Sequence, residues 1–221
     1  MDQTHEIELF KKDEECMKYD IIKKDMIKNI EKVVRDSYHY KILIYYLKNF
    51  MDLSRCAYYE GYSMSNGLGV ELHHSPITLY EIVYAVMNKH LKQNGYYKIM
   101  KVAKEVSKLH YQFKVGLVPL NPTAHKLVHS GNLRIHPDIV KGDWEAFAIE
   151  YQDYISDDLK KTLDDVRFIR EHELYDHYPK ILMRSETHYI QKNIVSLDSV
   201  NISKLLTQIK MKTLENIEKA T

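Results

Sequence analysis

The sequence predicts an α+β protein in which helices predominate around a small core of two strands and one helix. Apolar residues recur at helical spacing over long stretches such as 13–34 and 78–92, which indicates amphipathic helices. Two short β-type runs at 67–72 and 115–120 interrupt this pattern, and the second leads into a helix that begins at Asn121-Pro122. With 221 residues, of which 44% are hydrophobic and 29% charged, the chain is long enough to bury one sizeable core.

The N-terminal region, residues 1–55, is predicted to be helical. Its two amphipathic stretches span 13–34 and 38–52, and the second is the more apolar and therefore the more buried. After them, 56–62 is predicted to be a strand because it is rich in tyrosine. The dipeptide Asn66-Gly67 is a strong signal for a hairpin turn into the next strand.

Two predicted helices separate the two core strands. Thr78 and Glu81 have the spacing of a capping box, which places the start of the first helix there. A second helix is expected over 97–112. Residues 78–112 are therefore predicted to be a helical insertion within a core that spans 56–135.

The C-terminal region, residues 136–221, is also predicted to be mainly helical. Helical periodicity covers 144–154, 158–175 and 205–220. The stretch 181–199 fits either a strand or a loop.

Composition and charge exclude some classes of protein. The formal net charge is +1, so the overall charge does not indicate a nucleic-acid partner, and any such partner would need a local basic patch. Cys16 and Cys56 match no metal-ligand spacing, which favours reduced thiols. The longest apolar run, 42–47, is too short to span a bilayer, and no signal peptide is apparent. We expect a soluble protein with no membrane partner, located in the cytoplasm.

The residue usage also bears on the source of the chain. Its 18 tyrosines, together with many lysine, isoleucine and asparagine residues, are typical of an AT-rich genome. That usage leaves a phage or other viral source open, in which case the location would be the host cytoplasm.

Four histidines in two short clusters are the strongest chemical signal in the sequence. Glu71-Leu72-His73-His74 ends the first core strand. His125 and His129 lie four residues apart on the helix that follows the second strand, so both rings share one helix face. Two imidazoles on one helical turn can hold a metal ion, and a third can come from an adjacent strand. The fourth histidine would then be available for chemistry.

These two motifs resemble the HNH, or His-Me finger, family of ββα-metal endonucleases, and most closely the nuclease domains of the DNA-degrading colicins. In those domains a Glu-x-His-His strand end is followed by a Pro-x-x-His-x-x-x-His helix. Glu71–His74 and Pro122–His129 have the same residues at the same spacing. The resemblance covers 67–76 and 115–132, and it leaves the flanking helical regions unexplained.

The resemblance assigns His73, His125 and His129 to one divalent metal ion, which could be zinc, magnesium, manganese or nickel. It assigns His74 to the general base that takes a proton from the attacking water. A histidine base fits this role because its ordinary pKa lies near working pH. The implied activity is hydrolysis of phosphodiester bonds in DNA, with RNA a less favoured substrate.

The resemblance also suggests supporting residues, and it has one clear departure. Glu71 would point away from the metal and anchor its strand by pairing with an arginine such as Arg134. Lys126, on the helix that carries the two histidines, is a candidate for contact with a phosphate. The asparagine of the family motif falls at Gly116 in this chain.

Two other interpretations remain open. The glycine at the asparagine position favours a catalytically degenerate ββα-metal module, acting as a nucleic-acid-binding or structural subunit of a larger, viral assembly. A metal hydrolase acting on another substrate is the third interpretation. Six other histidines lack partners at ligand spacing and are expected to be ordinary core or surface residues: His90, His110, His136, His172, His177 and His188.

Overall fold

The computed structural model describes residues 24–59 and 61–171. The predicted helix at 205–220 and the ambiguous stretch at 181–199 lie outside the described residues. The same is true of the beginning of the helix predicted over 13–34.

Within the described ranges the protein combines helices with one small antiparallel sheet, which confirms the α+β class. We number the helices and strands in chain order. The helices are α1 (Lys24–Asp36), α2 (Tyr38–Phe50), α3 (Leu79–Asn94), α4 (Ile99–Tyr111), α5 (Pro122–His129), α6 (Trp144–Glu150) and α7 (Asp157–Glu171). The strands are β1 (Glu71–His74) and β2 (Leu117–Leu120), and short 3-10 turns occupy Met64–Asn66 and Pro137–Ile139.

The inserted helices form much of the hydrophobic core. α1 packs against α3 and α4, and α3 and α4 pack against each other. α1 buries Ile27, Ile30 and Val34 at helical spacing, and these side chains meet Val86 and Val106 in one continuous apolar cluster. Full burial of an aliphatic side chain of this kind stabilises a protein by about 1.5–3 kcal/mol. The segment predicted as an insertion is therefore part of the structural centre of the protein.

The helix ends agree with the sequence signals. The Thr78 hydroxyl accepts from the backbone amide of Glu81, and the Glu81 carboxylate accepts from the Thr78 amide, so the predicted capping box is confirmed. Gly95 ends α3 with a φ of 74°, a left-handed conformation that glycine adopts without strain. Asn121 caps α5 by accepting from the Ala124 amide at 2.7 Å.

The prediction of a strand over 56–62 is wrong. The Cys56 amide donates to the Tyr62 carbonyl at 2.8 Å, so the two ends of this stretch are held together, and none of its described residues lies in a strand. Asn66-Gly67 does not form a hairpin turn either, because Gly67 instead ends the 3-10 turn Met64–Asn66. The high strand propensity of the tyrosines is overridden by these local hydrogen bonds.

β1 and β2 pair in an antiparallel register, and this pairing fixes where the histidines of β1 lie relative to β2. Glu71 lies opposite Leu120, His73 opposite Val118, and His74 opposite Leu117. β2 is fully buried, and it leads through Asn121 directly into α5. The order of strand, strand and helix is therefore present, with α5 in contact with both strands.

Gly116 lies where β2 comes closest to the turn after β1. The Ser75 amide donates to the Gly116 carbonyl at 3.1 Å, across two backbones in close contact. A Cβ atom at Gly116 would lie 1.9 Å from the Ser75 carbonyl oxygen and 2.7 Å from Cγ1 of Val140. No side chain fits this space, which gives a physical reason for glycine at the position where the resemblance expects asparagine.

Replacing Gly116 should therefore destabilise the protein. We expect Gly116→Ala to lower the free energy of unfolding by about 1–3 kcal/mol or more, because the new methyl group overlaps a backbone oxygen. Thermal unfolding followed by circular dichroism measures the change. Gly69→Ala is the matched control, since a Cβ at Gly69 meets no atom within 4 Å. Equal melting temperatures for the two variants would contradict the close approach described here.

Candidate metal centre

His73 of β1 and His125 and His129 of α5 form a compact cluster. The His73 ring lies 5.1 Å from each of the other two rings, measured between centroids, and those two rings are 4.6 Å apart. One ligand nitrogen from each residue lies within 4.8 Å of the other two. Nε2 of His125 and Nε2 of His129 are 3.2 Å apart. Two nitrogens bound tetrahedrally to zinc at about 2.0–2.1 Å would be about 3.3 Å apart, so the spacing suits a metal ion.

The local structure explains why these three side chains meet. His125 and His129 are one helical turn apart, so their rings lie on the same face of α5. β2 runs into α5 through the Asn121 cap, which fixes the start of the helix beside the sheet. His73 sits in the middle of β1, the strand paired with β2, and its ring projects toward α5.

Glu71 supports the cluster from behind His125. Its Oε2 atom lies 2.6 Å from Nδ1 of His125, and strand alternation places Glu71 on the same face as His73. A carboxylate that accepts from Nδ1–H leaves Nε2 unprotonated and aimed at the cluster, the usual arrangement behind a metal-binding histidine.

The predicted pairing of Glu71 with Arg134 is not what the structure shows. The ion pair of Glu71 within the described residues is the one with His125. Arg134 instead accepts from the Tyr58 hydroxyl through its backbone carbonyl at 2.9 Å. Glu71 is therefore the partner of a candidate metal ligand rather than an anchor of the strand.

Burial favours the metal-binding form of two candidate ligands, His73 and His125. It lowers the pKa of His73 to about 4, and the charges of His125, His129 and Arg35 act in the same direction. Burial also lowers the pKa of His125, against the opposing effect of Glu71. A neutral imidazole carries the lone pair that a metal ion needs, so these two rings are ready to bind at neutral pH.

The cluster is open on one side. His129 is exposed, and His73 and His125 are half-buried. Among the residues that the structure describes, no fourth histidine, cysteine or carboxylate joins the three at ligand distance. Structural zinc sites usually have four protein ligands, whereas catalytic sites have three and leave a position for water or substrate.

His74, the predicted general base, lies apart from the three-histidine cluster. Neighbouring residues of a strand point to opposite faces, so His74 points into the core and is only 7% exposed. Its Nε2 atom lies 2.8 Å from Nε2 of His110 on α4. Burial, the neighbouring His110 and Arg35 hold the pKa of His74 well below its ordinary value.

Sequence reasoning missed two residues near these histidines. His110 was expected to be an ordinary histidine, and the only signal for it is its place on the apolar face of α4. Arg35, in the last turn of α1, is close enough for its charge to lower the pKa of four histidines, namely His73, His74, His110 and His125. The side chain of Arg35 is 56% exposed and lies 3.9 Å from the Glu31 carboxylate, one helical turn earlier.

Lys126 is exposed on α5, between the two histidines of that helix. Its contact with a phosphate stays a prediction. A second lysine, Lys48 of α2, is partly buried and donates to the Val70 carbonyl next to Glu71. Its pKa is lowered by burial, while the Glu71 carboxylate acts in the opposite direction.

These features define a helix-rich α+β protein with a three-histidine candidate metal centre at the junction of a small sheet and a helix. Residues 2–215 match the model of the bacteriophage G278-like virion protein family, and the chain therefore belongs to that family. The match supports the phage source that the composition left open. No curated protein and no solved structure matches the chain. Within the described residues, no helix has the length and apolar character needed to cross a membrane.

Removing the carboxylate behind His125 should weaken metal binding. We expect Glu71→Gln to lower the affinity for Zn²⁺ by about 10–100-fold, because His125 loses its charged partner. Competition with a zinc-binding dye measures the affinity. Glu150→Gln is the control, since it removes a carboxylate from an ion pair with Lys114 that has no part in the cluster. Unchanged affinity in Glu71→Gln would contradict the supporting role of Glu71.

The stability of the metal-free protein should depend on pH below neutrality. Burial lowers the pKa of His110 from 6.5 to about 4, so the unfolded chain binds this proton at a higher pH than the folded protein does. The contribution of His110 to stability is therefore complete above the unfolded pKa and is lost as the pH falls toward about 4. Across that window we expect a loss on the order of 3 kcal/mol from this ring.

Denaturant titrations in the presence of a chelator, repeated from neutral pH downward, measure this loss. His110→Gln should show a shallower fall in the free energy of unfolding, because the titrating ring is gone. His39→Gln changes an exposed histidine and should keep the wild-type profile. Identical profiles for wild type and His110→Gln would exclude His110 as a source of the pH dependence.

Proposed function

We propose that this virion protein is a metal-dependent phosphodiesterase that cuts DNA, with one divalent ion held by His73, His125 and His129. The observation that carries the proposal is the three-histidine cluster, open to solvent and backed by the Glu71 carboxylate. The order of β1, β2 and α5 around it is that of a ββα-metal core, and the residues agree with the HNH-like spacing. We therefore also propose that β1, β2 and α5 form a ββα-metal core.

Each residue has a distinct task in this proposal. A bound divalent ion would supply Lewis-acid stabilisation of the charge on the phosphate and the departing oxygen. Glu71 orients His125, and the charge of Arg35 attracts the phosphodiester backbone toward the cluster. His74 is the proposed general base and is held neutral by burial, the form that can accept a proton. Its ring points to the face of β1 opposite the cluster, so this role requires the attacking water to come within hydrogen-bond reach of the His74 ring.

The proposal is tested by incubating the purified 221-residue chain with supercoiled plasmid in Mg²⁺, Mn²⁺, Ni²⁺ or Zn²⁺. His125→Ala should lose both metal binding and cleavage. His74→Ala should keep metal stoichiometry and lose cleavage by about 10²–10⁴-fold, because only the base is removed. His39→Ala is a control for the loss of an exposed histidine elsewhere. Wild-type cleavage by folded His74→Ala would exclude His74 as the base.

A second candidate function is a metal-stabilised module with a structural role in the virion. The observation that favours it is the burial of His74 against His110, since a base with a strongly lowered pKa is weak. In that case the protein would hold one equivalent of metal and leave plasmid intact in all four metals. Removal of the metal would then lower thermal stability without any loss of activity to measure.

A further inference from the structure

We propose that His110 is a positioning residue for His74, which fixes His74 as the tautomer with its proton on Nε2 and leaves Nδ1 unprotonated. The hydrogen-bond argument for this tautomer stands on contacts alone. The consequence for cleavage rests on the proposed function, in which His74 is the base.

The direction of the first hydrogen bond is set by a backbone carbonyl. Nδ1 of His110 lies 2.7 Å from the carbonyl oxygen of Val106, one turn earlier on α4. A carbonyl oxygen can only accept, so Nδ1 of His110 must carry the proton. A neutral His110 therefore presents an unprotonated Nε2 atom, which acts as an acceptor.

The direction of the second hydrogen bond follows from the first. Nε2 of His74 lies 2.8 Å from the acceptor Nε2 of His110, so the His74 nitrogen is the donor. Since a neutral imidazole carries one proton, Nδ1 of His74 keeps a free lone pair. The chain of contacts from Val106 through His110 thus decides which nitrogen of His74 can take up a proton.

The surroundings keep both rings neutral and in place. His110 is 1% and His74 is 7% exposed, and burial disfavours the charged form of each. Tyr40 of α2 packs against His110 edge to face, with ring centroids 5.3 Å apart. The His74 and His110 rings meet at 78° with centroids 5.1 Å apart. Two helices therefore hold His110, and His110 in turn holds His74.

In this arrangement His110 would replace the asparagine that is absent at Gly116. The resemblance implies that asparagine supports the base, yet Gly116 has no room for a side chain because Ser75 lies against it. His110 reaches His74 from α4, a helix of the segment that the sequence identified as an insertion. The inserted helices would then supply the support that the strand cannot.

The test is the tautomeric state of both rings, read from two-bond ¹H–¹⁵N correlations in the 221-residue chain labelled with ¹⁵N-histidine. We expect His74 as the Nε2–H form and His110 as the Nδ1–H form. His110 is the more informative ring, because Nδ1–H is the less common form of a free neutral histidine. The opposite tautomer at either ring would overturn the proposal.

Two variants test the positioning role. His110→Gln keeps an amide oxygen near the position of Nε2 and should preserve the His74 tautomer. His110→Leu removes the acceptor, so His74 should populate both tautomers and cleavage should fall by about 10-fold or more, with Zn²⁺ affinity unchanged. A folded His110→Leu that keeps wild-type cleavage and a single His74 tautomer would overturn the proposal.

The outcomes separate this inference from the proposed function. A wild-type protein that cuts no DNA would refute the nuclease, while the tautomers of His74 and His110 would still decide the inference. Should His110→Leu fail to fold, the wild-type and His110→Gln spectra give the same decision. If folded His110→Gln shows His74 in both tautomers, the proposed hydrogen bond from His74 to residue 110 would be contradicted.

Discussion

The antiparallel pairing of β1 and β2 is the constraint on which the rest of the site depends. Its register places His73 opposite Val118 and His74 opposite Leu117, and strand alternation sends the two rings to opposite faces. A slip of one residue would exchange those faces and place the wrong ring beside α5. The same pairing presses Gly116 against Ser75, so the backbone geometry that builds the site also excludes a side chain there.

Two groups of histidines lie on either side of this sheet, one partly open to solvent and one buried. On one side, His73, His125 and His129 converge and Glu71 accepts from His125, which is an arrangement suited to a cation. On the other side, His74 and His110 form a neutral pair inside the core. Burial lowers the pKa of His73 and His125 in the first group and of both rings in the second. The consequence differs because only the first group is open to solvent. One strand therefore connects a candidate metal site at the surface to the hydrophobic core.

Several features could be predicted from the sequence because they depend on neighbours a few residues away. The capping box of Thr78 and Glu81 and the shared helix face of His125 and His129 are of this kind. The strand predicted over 56–62 fails for a related reason, since hydrogen bonds between the ends of a short segment outweigh residue propensity. The predicted pairing of Glu71 with Arg134 was also wrong. Arg134 and His125 are both distant from Glu71 in sequence, and only their positions in space show which of them pairs with it.

The sequence by itself determined the helix-rich α+β class, the elements that carry the four motif histidines, and which two of those rings share a helical turn. These properties follow from periodicity and spacing, which act over a few residues. Only the tertiary structure decided that Glu71 supports His125, that Arg35 lies near the cluster, and that His110 meets His74. His74 and His110 are 36 residues apart, and the fold brings the end of α4 close enough to the end of β1 for their rings to meet. No short-range sequence pattern predicts such a contact, since it results from the burial of the whole apolar core.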